Sequence, residues 1–209
     1  MKRRPEKKQK PGGAAPRGGP RGSRAGGERA GNRTRQSGGA SGSGLVQLLE
    51  IEKPIYGGAF LGRAEGKAVF VPLALPGEQA RVRVVEEKRG YATAEIEERL
   101  TAAPERVPAA CPYFGACGGC QYQHANYDAQ LRFKQAILRE TLERGGVRAP
   151  DEIDALAGEA WAYRNRIRLA FDAAGNPGYR GRRSHDLIAI AECPIAAPLL
   201  VKGALSWLA

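Results

Sequence analysis

The chain has 209 residues and a formal charge of +11, enough length for one ordinary domain or two small ones. No stretch approaches the ~20 apolar residues of a membrane span, and the N-terminus lacks the apolar segment of a secretory signal. The sequence therefore reads as a cytoplasmic protein with no membrane partner.

The charge is unevenly placed. Residues 1–44 hold twelve Lys and Arg against two acids, Glu6 and Glu28, which leaves the rest of the chain close to neutral. The same segment has twelve Gly and four Pro, no aromatic residue, and no Leu, Ile, Val or Phe. With so little apolar surface to bury, nothing offsets the entropy lost on ordering, and a disordered basic tail is expected. Runs such as Arg17-Gly-Gly-Pro-Arg-Gly-Ser-Arg suit the release of counterions from phosphates. Nucleic-acid contact is the favoured role for the tail; simple solubilisation is the alternative.

Residues 45–100 carry strand periodicity. Val46, Leu48 and, after a shift, Ile51 form a first alternating run. Residues 67–73 form a short apolar run entered through Gly66, and Arg81-Val-Arg-Val-Val-Glu-Glu-Lys alternates apolar with charged positions, as a half-buried antiparallel strand should. Turn signals at Gly57-Gly58, Gly66, Pro76-Gly77 and Arg89-Gly90 divide the region into about five short strands, the number and length of a small closed barrel of the OB type. Within it Tyr56, Phe60 and Phe70 could stack on bases or simply fill the core.

Residues 101–146 read as a loop followed by a helix from about Tyr127 to Arg144. Asn126 is placed to cap it, Tyr127, Leu131, Lys134, Leu138 and Leu142 recur near helical spacing, and Gly145-Gly146 ends it. The loop contains Cys111, Cys117 and Cys120, and a fourth cysteine, Cys193, lies far downstream. Cys-x2-Cys lets two thiolates reach one metal centre from one tight loop. Gly118-Gly119 fills the gap with residues that tolerate φ > 0 and leave their N–H groups free to donate to sulfur. In a chain of cytosolic type, cysteines are better read as metal ligands than as disulfides. Zinc also accepts four thiolates, although structural zinc more often uses two paired knuckles and only one pair is present. The five-residue first gap differs from the four of plant-type 2Fe–2S sites, and from the three of radical S-adenosylmethionine enzymes. On spacing alone, an iron–sulfur cluster, zinc and four unrelated buried cysteines all remain open. His124 is read as a capping or packing residue, and His185 is uninformative.

Residues 147–209 begin a second β-rich region. In Tyr163-Arg-Asn-Arg-Ile-Arg-Leu the arginines occupy alternate positions, so a strand would put Arg164, Arg166 and Arg168 on one face and Tyr163, Asn165, Ile167 and Leu169 on the other. Such a row fits a phosphate-tracking surface, with Arg180, Arg182 and Arg183 adding to it; a solvated face balanced by Asp172 and Asp186 is the alternative. A turn is expected at Gly175-Asn-Pro-Gly178, a strand over Leu187-Ile-Ala-Ile, and a helix from Pro198 to Ala209.

Cys111-Pro-Tyr-Phe-Gly-Ala-Cys-Gly-Gly-Cys-Gln-Tyr-Gln-His, followed by Tyr127-Asp-Ala-Gln-Leu-Arg-Phe-Lys, resembles the 23S rRNA uracil-5-methyltransferase family. Cys193-Pro-Ile is similar to that family's fourth-ligand segment. Gly57-Gly-Ala-Phe-Leu-Gly through Val71-Pro-Leu-Ala-Leu-Pro-Gly-Glu is similar to its TRAM domain, and Tyr163–Leu169 with Gly178-Tyr-Arg to the start of its central domain. The resemblance covers about residues 45–209. It implies a 4Fe–4S cluster on Cys111, Cys117, Cys120 and Cys193, and RNA, in particular rRNA, as partner of a monomer whose Arg164, Arg166, Arg168 and Arg180 contact it.

Methylation at uracil carbon 5 needs a nucleophile, usually a Cys adding at carbon 6, and a base to take the carbon-5 proton. The cluster would occupy every cysteine here. No strand, Gly-rich turn and acidic ribose ligand for S-adenosylmethionine is evident, so no catalytic or S-adenosylmethionine-binding residue is assigned. The resemblance places those parts in a C-terminal Rossmann-like domain of the full-length family member. The expected architecture is mainly β with α: basic tail, OB-like barrel, iron–sulfur loop and helix, and a partial central β-rich domain. The Rossmann-like domain is expected to be absent and the chain truncated before it, without methyl-transfer activity of its own. The alternative is a stand-alone TRAM/iron–sulfur or zinc RNA-binding module.

Overall fold

Five strands form first: β1 (Val46–Pro54), β2 (Ala59–Ala64), β3 (Lys67–Pro72), β4 (Gln79–Glu87) and β5 (Tyr91–Thr101). They belong to a computed structural model that describes residues 44–206; residues 1–43, where the disordered tail is expected, lie outside the described residues. The strands close into a barrel in the order β1-β2-β3-β5-β4, with β1 returning to pair with β4. Pairing is antiparallel except between β3 and β5, where Val69 lies opposite Ala92 in a parallel pair. The small closed barrel expected from the strand pattern is present.

Alternation explains most of it. On β4, Ala80, Val82 and Val84 point inward while Arg81 and Arg83 point out, where they meet Glu98 and the Glu95 and Glu97 carboxylates of β5. Those exposed pairs add little stability. β1 departs from the expected facing: Val46 and Leu48 are exposed, and Leu49 and Ile51 fill the core. A one-residue slip moves every side chain to the other face, and a register shift between Ile51 and Lys53 sets the phase with β2.

The base of the barrel is tied to the downstream loop by a buried ion pair. Glu78 is fully buried. Its carboxylate accepts from Arg106 Nε at 2.5 Å and Nη2 at 2.7 Å, from Arg99 Nε at 3.3 Å, and from the Leu75 and Ala103 amides. Arg106 also donates to the Leu73 carbonyl at 2.9 Å, where Leu73 holds a left-handed backbone, φ +62°. Burial works to raise the Glu78 carboxyl, yet the Arg106 hydrogen bonds and charge, aided by Ala103 and Arg99, hold it below its ordinary value.

Helix α1 (Tyr127–Arg144) has the expected bounds, with the Asn126 side chain accepting from the Ala129 amide. The face it buries differs from the expected Leu stripe: Ala129 and Phe133 are buried, whereas Leu138 is exposed. Phe133 meets Phe60 edge-on at 5.5 Å. Phe60 is fully buried and also faces Tyr122 and His124, so it belongs to the core and not to a base-stacking surface; Tyr56 is exposed.

The remaining chain forms a small sheet in the order β6 (Ala170–Phe171), β7 (Pro177–Arg180), β8 (Leu187–Ala189). Its first turn sits slightly before the expected Gly175–Gly178, because the Asp172 carboxylate accepts from the Ala174 and Asn176 amides. Residues 163–169 do not form the expected strand. A single bridge, Arg164 to Ala196, is the only pairing there, so the two-faced arginine row is replaced by an irregular segment. Helix α2 (Pro198–Ser206) follows, with Trp207 and Leu208 of the expected helix outside the described residues. No helix among the described residues is long and apolar enough to cross a membrane.

Candidate metal centre

The cysteine loop is seated on two supports. On the barrel side, Gln121 donates to the Gly57 carbonyl and His124 Nε2 bonds the Ala74 carbonyl at 2.9 Å. On the other side, the Gly118 amide donates to the Arg180 carbonyl at 3.0 Å and the Arg182 amide to Ala116 at 2.8 Å. Gly118 is required by this close approach, since a Cβ there would lie 3.1 Å from the Arg180 carbonyl oxygen. The left-handed turn expected at Gly118-Gly119 is instead at Gly115, φ +93°. The other expected use of these glycines is realised: the Gly119 amide donates to Cys117 Sγ at 3.3 Å.

Cys193 arrives through a separate segment. The Ala162 and Arg164 amides donate to the Pro194 and Ile195 carbonyls, both at 2.9 Å, and the Ala191 amide donates to the Tyr113 hydroxyl. These contacts bring the chain around Cys193 against the cysteine loop. The four cysteines line one cavity of about 250 Å³, walled by Tyr179, Gln123, Arg164, Arg166 and Arg168. None is in a disulfide. Among the described residues, no three His, Cys, Asp or Glu side chains converge tightly enough to hold a single metal ion. The four cysteines border this common cavity.

Electrostatics show how crowded the cavity is. Burial pushes the Cys111 and Cys120 thiols up, the neighbouring cysteine sulfurs add to the effect, and the nearby Tyr113 backbone and Gln123 side chain oppose it. A cation at the centre would reverse this, because bound metal deprotonates a coordinating thiol. Burial holds His124 down to about 4, while its bond to Ala74 works the other way. It is therefore a neutral packing residue stacked on Phe114 at 5.4 Å, as the packing alternative anticipated; Asn126 supplies the helix cap.

The arginines divide. Arg164, Arg166 and Arg168 border the cysteine cavity together with Ile167, so the expected separation of arginine and apolar faces is lost. Arg180 donates to the His185 carbonyl. Arg182 is half-buried beside the cysteine loop, and Arg183 is exposed. Two residues that sequence reasoning missed, Gln123 and Tyr179, also face the cavity. Tyr179 stood in the Gly178-Tyr-Arg motif, but nothing in its spacing pointed its hydroxyl at a cysteine.

Residues 42–96, which include most of the barrel, match the TRAM domain. The chain is also similar to 23S rRNA uracil-C5 methyltransferases over about a third of their length. It is 43% identical over 157 residues to the 23S rRNA (uracil(1939)-C(5))-methyltransferase RlmD of Chromohalobacter salexigens, covering 73% of this chain and 33% of that protein. The RlmD of Pectobacterium carotovorum subsp. carotovorum is 44% identical over 149 residues, covering 68% and 33%. The chain spans about a third of the length of these relatives. Among solved structures it is similar to Pyrococcus abyssi tRNA (uracil-54, C5)-methyltransferase in complex with S-adenosyl-L-homocysteine, with TM-score 0.53 and 26% identity over 76% of this chain and 35% of that one.

Proposed function

We propose that these residues are the RNA-binding, 4Fe–4S-holding part of an S-adenosylmethionine-dependent RNA uracil-C5 methyltransferase, with rRNA as substrate. The observation that carries the reading is the convergence on one cavity of Cys111, Cys117, Cys120 and Cys193, three of them from one loop and one from 73 positions beyond Cys120. A zinc ion would draw four sulfurs to about 2.3 Å from one point. The cavity of about 250 Å³ has room for a polyatomic core. Four thiolates are the ligand set of such clusters, and buried donors that lack partners surround them. The residues therefore fit the group. It would supply a rigid crosslink joining the cysteine loop to the Cys193 segment, and a redox-active centre.

RNA contact is assigned to Arg164, Arg166, Arg168 and Arg180. The first three border the cavity, so cluster and RNA-facing cations share a wall. Each phosphate contact with a single strand contributes about 0.7 to the slope of log affinity against log salt. Replacing Arg164, Arg166 and Arg168 by Glu is expected to weaken rRNA binding at least tenfold and to reduce that slope by about 2. Unchanged affinity and slope in the folded triple variant would remove these arginines from the interface.

A further inference from the structure

We propose that the Tyr179 hydroxyl and the Gln123 side-chain amide each donate a hydrogen bond to a sulfur of the iron–sulfur centre and thereby raise its reduction potential. The inference rests on the cluster reading above and concerns two residues outside the ligand set.

Among the described residues, five buried side-chain nitrogen and oxygen atoms have no hydrogen-bond partner: Gln123 Nε2, His124 Nδ1, Tyr179 Oη, and Arg182 Nε and Nη2. Folded proteins leave few such groups, because an unmet buried donor costs about 1–3 kcal/mol. Four of the five are donors, and all four belong to residues beside the cysteines. Gln123 and Tyr179 line the cavity itself, whereas Arg182 lies on the far side of the loop with Gly118 and Cys120.

Both donors are held in place. Gln123 Oε1 accepts from the Cys111 amide at 3.1 Å. Reversing the side-chain amide would set its NH2 against that N–H, so Nε2 is directed away from it, and the side chain lies beside Cys120. Tyr179 sits on β7 opposite Ile188 of β8, and its buried hydroxyl, which has no partner among the described residues, shares the cavity wall with Cys193. Of the other two cysteines, Cys117 already accepts from the Gly119 amide at 3.3 Å. Two buried side-chain donors with no acceptor among the described residues therefore face the cavity that the four cysteines line. A donor to sulfur stabilises the more electron-rich reduced state, so hydrogen bonds to cluster sulfurs shift the potential upward.

The test uses the full 209-residue chain purified without oxygen, with iron and sulfide assayed before redox titration followed by visible and electron paramagnetic resonance spectra. Tyr179→Phe removes one oxygen atom. It is expected to keep wild-type iron and sulfide and to move the reduction equilibrium about tenfold toward the oxidised form, ~59 mV for one electron. Gln123→Glu keeps the acceptor for Cys111 and exchanges the donor for a negative charge, so it should shift further in the same direction. Tyr127→Phe, whose hydroxyl is bonded to the Gly158 carbonyl, should not shift. Loaded variants at wild-type potential, or shifted the other way, would overturn the inference and leave the cluster reading standing. Loss of iron from Tyr179→Phe would also overturn it, by making that hydroxyl a structural requirement. Absence of iron from the wild-type chain would overturn both.

Discussion

Replacing Arg106 by Met should destabilise the barrel by about 3–5 kcal/mol at pH 7, the usual cost of leaving a buried charge without its partner. The structure puts the value toward the lower end. Glu78 would lose the two bonds at 2.5 and 2.7 Å but keep Arg99 at 3.3 Å and the Leu75 and Ala103 amides. The Leu73 carbonyl would lose its donor as well. For a chain of this size the loss corresponds to a fall of roughly 6–20 °C in Tm. The sign of the pH dependence is fixed by the carboxyl. In the wild type its folded pKa lies below the ordinary 4.5, so its contribution is complete above 4.5 and is lost as pH falls through the folded value. In Arg106→Met, burial prevails and the carboxyl takes up a proton on folding, so the gap between the two proteins should narrow on acidification from pH 7 to 4. Urea titrations at several pH values measure this, and the double variant Glu78→Gln/Arg106→Met should recover part of the loss. A gap below about 1 kcal/mol at pH 7, or one that widens in acid, would refute the reasoning.

His124 makes a second acid-sensitive contribution. Its folded pKa, about 4, lies below the ordinary 6.5, so the unfolded chain takes the proton first. That contribution is complete above pH 6.5 and is lost as pH falls from there to about 4, up to about 3 kcal/mol. His124→Gln, which keeps a donor for Ala74 but does not titrate, should lack that part of the acid loss; equal acid slopes in both proteins would contradict this. Gly178→Ala would drive a Cβ into the Ile188 carbonyl and force β7 from β8. Because the Gly118 amide is bonded to Arg180 on β7, iron retention should fall along with Tm, and an unaffected iron-to-protein ratio would uncouple that sheet from the centre.

Local signals were readable where the deciding contacts are close in sequence. Asn126 and Gly145-Gly146 bracket α1 through bonds spanning a few residues, and the barrel follows from alternation and turn glycines. β1 was misphased because Leu48 and Leu49 are both apolar, so period alone cannot choose a face; the bulge and the partners β2 and β4 choose it. The arginine row over 163–169 has perfect alternation but only Arg164 finds a neighbour to pair with, and a strand without a ladder does not form. The cysteine motif was legible because Cys111, Cys117 and Cys120 share one short loop, and Cys193 joins them at one cavity. Gln123 and Tyr179 were invisible because a place in the cavity wall depends on tertiary packing, and no local pattern encodes that. Arg106 meets Glu78 from 28 positions away, a pairing no local window contains.

The central proposal is a polyatomic iron–sulfur core joining the cysteine loop to Cys193. Iron, zinc and acid-labile sulfide should be counted in oxygen-free material of the wild type and of Cys193→Ala. About four iron and four sulfide per wild-type chain, lost together in the variant, are predicted. One zinc per chain with no sulfide, or no metal in either protein, would contradict it.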